Sequence, residues 1–162
     1  MIRPADLAAK VASFAHDRRG AAALEFAIVS SPFILLLVAL LQMSVYYLAQ
    51  SALDAGVLNT VETLRNGFTT GATATLPDAT TLKAQVTANA GGMIVNDSTA
   101  AVEIRQLTTL SGAAVPIVDG TVDYGSTTSV LVLRAQATVL TFAPGFSALK
   151  VRSAAIVRRQ GT

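Results

Sequence analysis

From Phe26 to Leu53 the chain runs for 28 residues without a formal charge, and its centre reads Pro-Phe-Ile-Leu-Leu-Leu-Val-Ala-Leu-Leu-Gln-Met-Ser-Val-Tyr-Tyr-Leu from Pro32 to Leu48. At ~1.5 Å per residue this is about 42 Å of helix, against ~30 Å of bilayer hydrocarbon, so it is long enough to span a membrane. Beyond it a helical period persists in more polar company: Leu53, Val57, Val61 and Leu64 recur at three-to-four spacing among Asp54, Asn59, Glu62 and Arg65. The pattern predicts one helix from about Ala21 to Leu64, apolar all round in its first part and amphipathic in its last third, ended by Asn66-Gly67. A Thr- and Gly-rich loop, Thr69 to Pro77, follows it. Asp78 or Thr80 then caps a second short helix with Leu82, Val86 and Ala90 on one face, stopped by Gly91-Gly92.

From there the pattern changes to strand. Ala101 to Leu107, Val115 to Val118, Ser129 to Phe142 and Leu149 to Val157 are apolar or alternating runs, separated by Ser111-Gly112, Asp119-Gly120, Gly125 and Pro144-Gly145. Val132, Arg134, Gln136 and Thr138 share one face, which predicts a partly solvated side of an antiparallel sheet. The expected fold class is α+β: a long N-terminal helix, with a membrane-spanning half and an amphipathic half, packed on a small antiparallel sheet domain. A domain of this size is marginal alone, and leaning on the helix adds to its core.

Composition sharpens this picture. Of 162 residues 52% are apolar and only 14% charged, and that excess is mostly the uncharged run. The charges are unevenly placed. Residues 1–20 hold four basic side chains against two acidic (net +2), residues 21–149 four against eight (net −4), and residues 150–162 four against none (net +4). The total of +2 is too small for a protein bound to nucleic acid by phosphate neutralisation, and low charge with high apolar content argues against wholesale disorder. With no cysteine, disulfides, zinc-thiolate sites and thiol nucleophiles are excluded. Arg18 and Arg19 flank one end of the run, and Tyr46 and Tyr47 lie near the other, which predicts the N-terminus in the cytoplasm and the C-terminal part outside.

The candidate chemistry lies just before the span, in His16-Asp-Arg-Arg-Gly-Ala-Ala-Ala-Leu-Glu-Phe26. A carboxylate is costly in a membrane helix, and Glu25 is the last charge before the apolar run. One reading puts it in the first helical turn at headgroup level, favoured by the helix dipole. Spacing adds another, since a cut after Gly20 would give Ala21 a free α-ammonium and make Glu25 the fifth residue of the new chain.

This basic leader, glycine, short apolar gap, Glu-Phe and long apolar helix resembles the type III signal of type IV prepilins. More closely, Arg-Arg-Gly-Ala-Ala-Ala-Leu-Glu-Phe-Ala with Pro32 and the Leu-rich run resembles the TadE-like minor pseudopilins of the tight-adherence (Tad/Flp) pilus system. The resemblance rests mainly on residues 16 to about 64. It implies a pilin-like fold and a membrane prepilin peptidase that cuts the Gly20–Ala21 bond on the cytoplasmic face, where Arg18 and Arg19 hold the leader. It also implies that Glu25, beside Phe26, pairs with the mature N-terminus of a neighbouring subunit. The expected organisation is a leader at 1–20, a transmembrane and amphipathic helix at 21–65 and an extracytoplasmic α+β domain at 66–162. The expected partners are the peptidase, other minor pseudopilins, the Flp major pilin and the membrane, in an adhesive, biofilm-forming assembly held at the inner membrane or incorporated in the pilus. An α-ammonium and a carboxylate buried together cost far less than either alone, which suits such a pair to fix register between apolar helices. The leader departs from the pattern by its Pro4 and its apolar set Leu7, Val11 and Phe14, which, if uncut, would form an interfacial amphipathic helix with Lys10 and Arg18 on lipid headgroups.

Two other readings compete. An unprocessed single-pass membrane protein would carry an outer domain that binds a partner or ligand. A secreted domain starting near Ala52 would need a signal whose apolar region is about 7–15 residues, roughly half of that present. No catalytic constellation, cofactor fingerprint or metal set is expected. His16 is the only histidine, Asp119 and Asp123 read as turn residues, and the glycines form no phosphate-binding motif. The basic tail from Arg152 to Arg159 reads as an exposed edge strand guarded by charge.

Overall fold

Leu, Ala and other good helix formers dominate the stretch after the Arg pair, and they build one helix, α1 (Arg18–Thr69). In this computed structural model the described residues are 18–69, 76–92, 95–109, 115–126, 128–142 and 149–159. The expected leader helix with Leu7, Val11 and Phe14, and the turns at Ser111-Gly112 and Pro144-Gly145, lie outside them. The helix passes through Pro32, which removes one backbone donor without ending it. It also passes the expected stop at Asn66-Gly67 and reaches Thr69, because Phe68 is buried in the core and the extra turn is held by packing.

The chain divides into two compact units, one up to Leu41 and one from Gln42 onward. In the first, no residue from Gly20 to Leu41 is buried. In the second, Ala49, Leu53, Val57, Val61, Leu64 and Phe68 of α1 are buried along one face, as their three-to-four spacing predicts.

A second helix, α2 (Ala79–Asn89), begins at Asp78, whose side chain accepts a 2.9 Å bond from the Thr81 N–H. Hydrogen bonding from the Thr81 side chain, and after it from this N–H, holds the Asp78 carboxyl below its ordinary pKa. After Ala90 the chain turns at Gly91, whose φ of +85° suits a glycine. Leu82 and Val86 face the core, and Gly56 of α1 lets the two helices approach closely. A methyl there would stand 2.6 Å from the Val86 carbonyl and 2.9 Å from the Ala90 methyl.

Three antiparallel strands, β1 (Ala100–Gln106), β2 (Val130–Thr138) and β3 (Lys150–Arg158), form a sheet in the order β1-β2-β3. Val102, Ile104, Leu131, Leu133, Ala135, Val151 and Val157 join the buried residues of α1 and α2 in one core. The fold is therefore α+β, a long apolar helix with a small antiparallel sheet.

Two strand expectations are corrected. Residues 115–118 form no strand; instead the Val118 N–H donates to the Glu103 Oε2 at 2.7 Å, and the Arg134 Nη1 donates to the Val115 carbonyl at 2.7 Å. Side chains hold this segment over the sheet in place of a backbone ladder. In consequence the face of Val132 and Arg134 is not solvated there: the two are 3% and 5% exposed. The run expected to be strand through Phe142 leaves the ladder after Thr138, although the Val139 N–H still donates to the Leu149 carbonyl at 2.8 Å. The β1 edge is lined by residues 120–123, through Gly120 N–H to Val102, Ile104 N–H to Thr121 and Asp123 N–H to Ile104. Here Gly120 adopts φ +76°, turning the chain beside the strand.

Candidate functional site

The first candidate surface is the apolar one. Leu24, Phe26, Ile28, Val29, Phe33 and Ile34 are exposed, as are most of the large apolar residues that follow them to Leu48. Among the described residues one helix, Gly20–Phe68, is long and apolar enough to cross a membrane, and its most apolar stretch contains no buried residue. A surface of this extent belongs against lipid or against other helices.

The residues singled out from the sequence lie at its beginning. Arg18 and Arg19 form the first turn of α1, and Gly20 follows with no atom near the position of a Cβ. Ala21, Glu25 and Phe26 are exposed on the helix, and the four-residue spacing sets Ala21 and Glu25 on the same face. Glu25 is thus presented outward among apolar neighbours.

In the unit that begins at Gln42, the helix is tied to the rest of the domain by polar side chains. Gln42 is buried within the uncharged run: its Nε2 donates to the Leu140 carbonyl at 3.1 Å, and its Oε1 accepts from the Phe142 N–H at 3.1 Å. Two turns on, the Gln50 Nε2 donates to the Arg152 carbonyl at 2.8 Å and to the Asp54 Oδ1 at 3.1 Å. Tyr46 and Tyr47 stand edge to face between them, with ring centroids 5.8 Å apart.

The remaining charged groups serve the fold. Glu103 of β1 and Arg134 of β2 are directly opposed across the ladder and form a buried ion pair, with the Arg134 Nε 2.6 Å from the Glu103 Oε1. Arg105 adds a second cation at 3.4 Å. The sequence signal of this cluster, absent from the pattern-based expectations, is a lone acid in β1 and a lone base in β2, each within an apolar strand. Asp119 bonds Lys83 of α2 at 2.8 Å and accepts from the Val102 N–H. Partial burial works to raise the Asp119 pKa, but those bonds and the Lys83 charge outweigh it and hold the carboxyl below its ordinary value. Burial, with the Asp78 charge adding to it, pushes the Tyr124 phenol up to about 12, and its hydroxyl donates to the Pro77 carbonyl at 2.8 Å. Asp123 accepts from the Gly125 N–H at 3.0 Å, a turn role. Among the described residues no group of three or more His, Cys, Asp or Glu side chains stands together as a metal site. On β3, which among the described residues pairs with β2 alone, Arg152 and Arg158 are exposed.

Comparison with known proteins bears on the helix. Residues 20–61 match the family model TadE, described as TadE-like protein. No match is found among curated proteins or among solved structures. Over the matched stretch, which contains Gly20, Ala21, Glu25 and Phe26 and nearly all of the apolar surface, the chain is similar to TadE-like proteins of the Tad pilus system.

Proposed function

With residues 20–61 TadE-like, we propose that this chain is a minor pseudopilin, cut by a prepilin peptidase after Gly20 and used in assembly of a Tad-type adhesive pilus. The observation that carries the reading is the combination of that match with a helix whose apolar residues are exposed and whose first turns hold Gly20, Ala21 and Glu25. In this reading residues 1–20 are a leader held on the cytoplasmic side by Arg18 and Arg19, and the sheet domain lies outside the membrane. In this reading the peptidase takes the Gly20–Ala21 bond in an unwound form. Gly20, weak in a helix and close to its start, lets the first turn unwind there.

Once cut, Ala21 carries an α-ammonium and Glu25 a carboxylate on an apolar surface. Each is costly to bury alone, and pairing the Ala21 amine with the Glu25 of a neighbouring subunit offsets both costs. The pair, with Phe26 packed beside it, sets the stagger of helices that dispersion alone would let slide. Other minor pseudopilins and the Flp major pilin are the proposed neighbours.

The test is the N-terminal residue of the protein recovered from membranes with and without an active prepilin peptidase. Ala21 appearing only with the peptidase supports the reading; Met1 in both would make the chain an uncut membrane anchor, and a start near Ala52 would make it a secreted domain. Glu25→Ala is expected to leave cleavage largely intact and to reduce assembled pili severely, counted by electron microscopy. Normal pili from that variant would remove Glu25 from the assembly mechanism.

A further inference from the structure

Gln42 is buried in the middle of an uncharged run, and its amide bonds the segment that follows β2. That segment has left the ladder, and among the described residues the Gln42 amide serves both the Leu140 carbonyl and the Phe142 N–H. The side chains of the same two residues point away from the core: Leu140 is 74% exposed and Phe142 49%. Backbone groups satisfied by a clamp, with apolar side chains turned outward, are what a non-helical segment needs where water is scarce.

The level along α1 is set by the neighbouring residues. Tyr46 and Tyr47 follow Gln42 by about one turn, roughly 6 Å along the axis, and tyrosine pairs favour the headgroup level. Gln42 therefore lies just on the hydrocarbon side of that level. Lys150, exposed at the start of β3 and opposite Thr138 in the ladder, stands two residues across from Leu140, where a lipid phosphate would meet it.

We propose that the end of the outer domain carrying Leu140 and Phe142 dips into the outer interface of the bilayer that α1 crosses, with the Gln42 clamp making the peptide groups between them acceptable there. The inference rests on the membrane-spanning reading of α1. It makes the domain a monotopic contact as well as a tethered one, fixed in height against the membrane before it enters an assembly.

The chain has no cysteine, so single cysteines can be placed and labelled with a polarity-sensitive fluorophore in the full chain. The probes are Leu140→Cys and Phe142→Cys, with Leu36→Cys on the apolar helix and the 62% exposed Ile156 of β3, as Ile156→Cys, for comparison. Each is reconstituted at one protein per nanodisc of phosphatidylethanolamine and phosphatidylglycerol. Spin-labelled lipid is expected to quench positions 140 and 142 as strongly as 36, while aqueous iodide quenches only 156. Iodide access at 140 and 142 with 36 still quenched by lipid would overturn the inference and leave the membrane span standing. Iodide access at 36 would remove the span and the inference together. Protection of 140 from both quenchers would mean that protein covers it, which overturns the inference in favour of a protein contact.

Discussion

Glu103 and Arg134 are the residues on which the outer side of the sheet depends. Their pair is buried, and each also holds residues 115–118 by one bond to the backbone. Removing one partner leaves the other charge without compensation, a loss of about 3–5 kcal/mol. Glu103→Ala is therefore expected to lower the unfolding midpoint sharply in detergent-solubilised chain and to free residues 115–118 for proteolysis. Tyr124 gives a pH signature. Its pKa is raised in the folded state, so its contribution is fully present below the ordinary value of 10.0 and is lost as pH rises towards about 12. Denaturant titrations across that window are expected to show falling stability in the native chain and a flatter alkaline limb in Tyr124→Phe. The variant itself gives up about 1 kcal/mol at neutral pH for the missing bond to Pro77.

At the scale of elements, two glycines of α1 should respond with opposite sign. At Gly56 a Cβ meets the Val86 carbonyl of α2 at 2.6 Å, so Gly56→Ala forces the helices apart at a cost of roughly 1–3 kcal/mol. At Gly67 nothing stands within 4 Å, and Gly67→Ala in the same helix is expected to stabilise by roughly 0.5–1 kcal/mol. Melting temperatures of the two variants under one condition decide the matter. The same helix shows what periodicity makes legible. Leu53, Val57, Val61 and Leu64 were readable as a buried stripe, and Asp78, Leu82 and Val86 as a capped helix, because each signal is local in sequence. The strand expected at 115–118 failed because its partners are the side chains of Glu103 and Arg134, 15 and 19 residues away, and no local pattern records them. The burial of Arg134 was missed for the same reason. Gly20, Ala21, Glu25 and Phe26 stand out in the sequence by their spacing and by the motif they resemble, whereas the pair of hydrogen bonds from Gln42 to the chain after β2 spans about a hundred positions of sequence.

For the whole molecule, the row from Ala49 to Phe68 makes α1 part of the folded core as well as an exposed apolar rod in its earlier turns. Without that row the sheet and α2 would keep only one another, too little apolar area for a stable domain of this length. The consequence is mechanical. A pull on the helix from its N-terminal side enters the domain first through Gln42 and Gln50, and then through about 30 Å of side-chain contacts strung along one axis. Tension is thereby shared over many weak contacts, so the helix parts from the sheet and α2 only when they are sheared together.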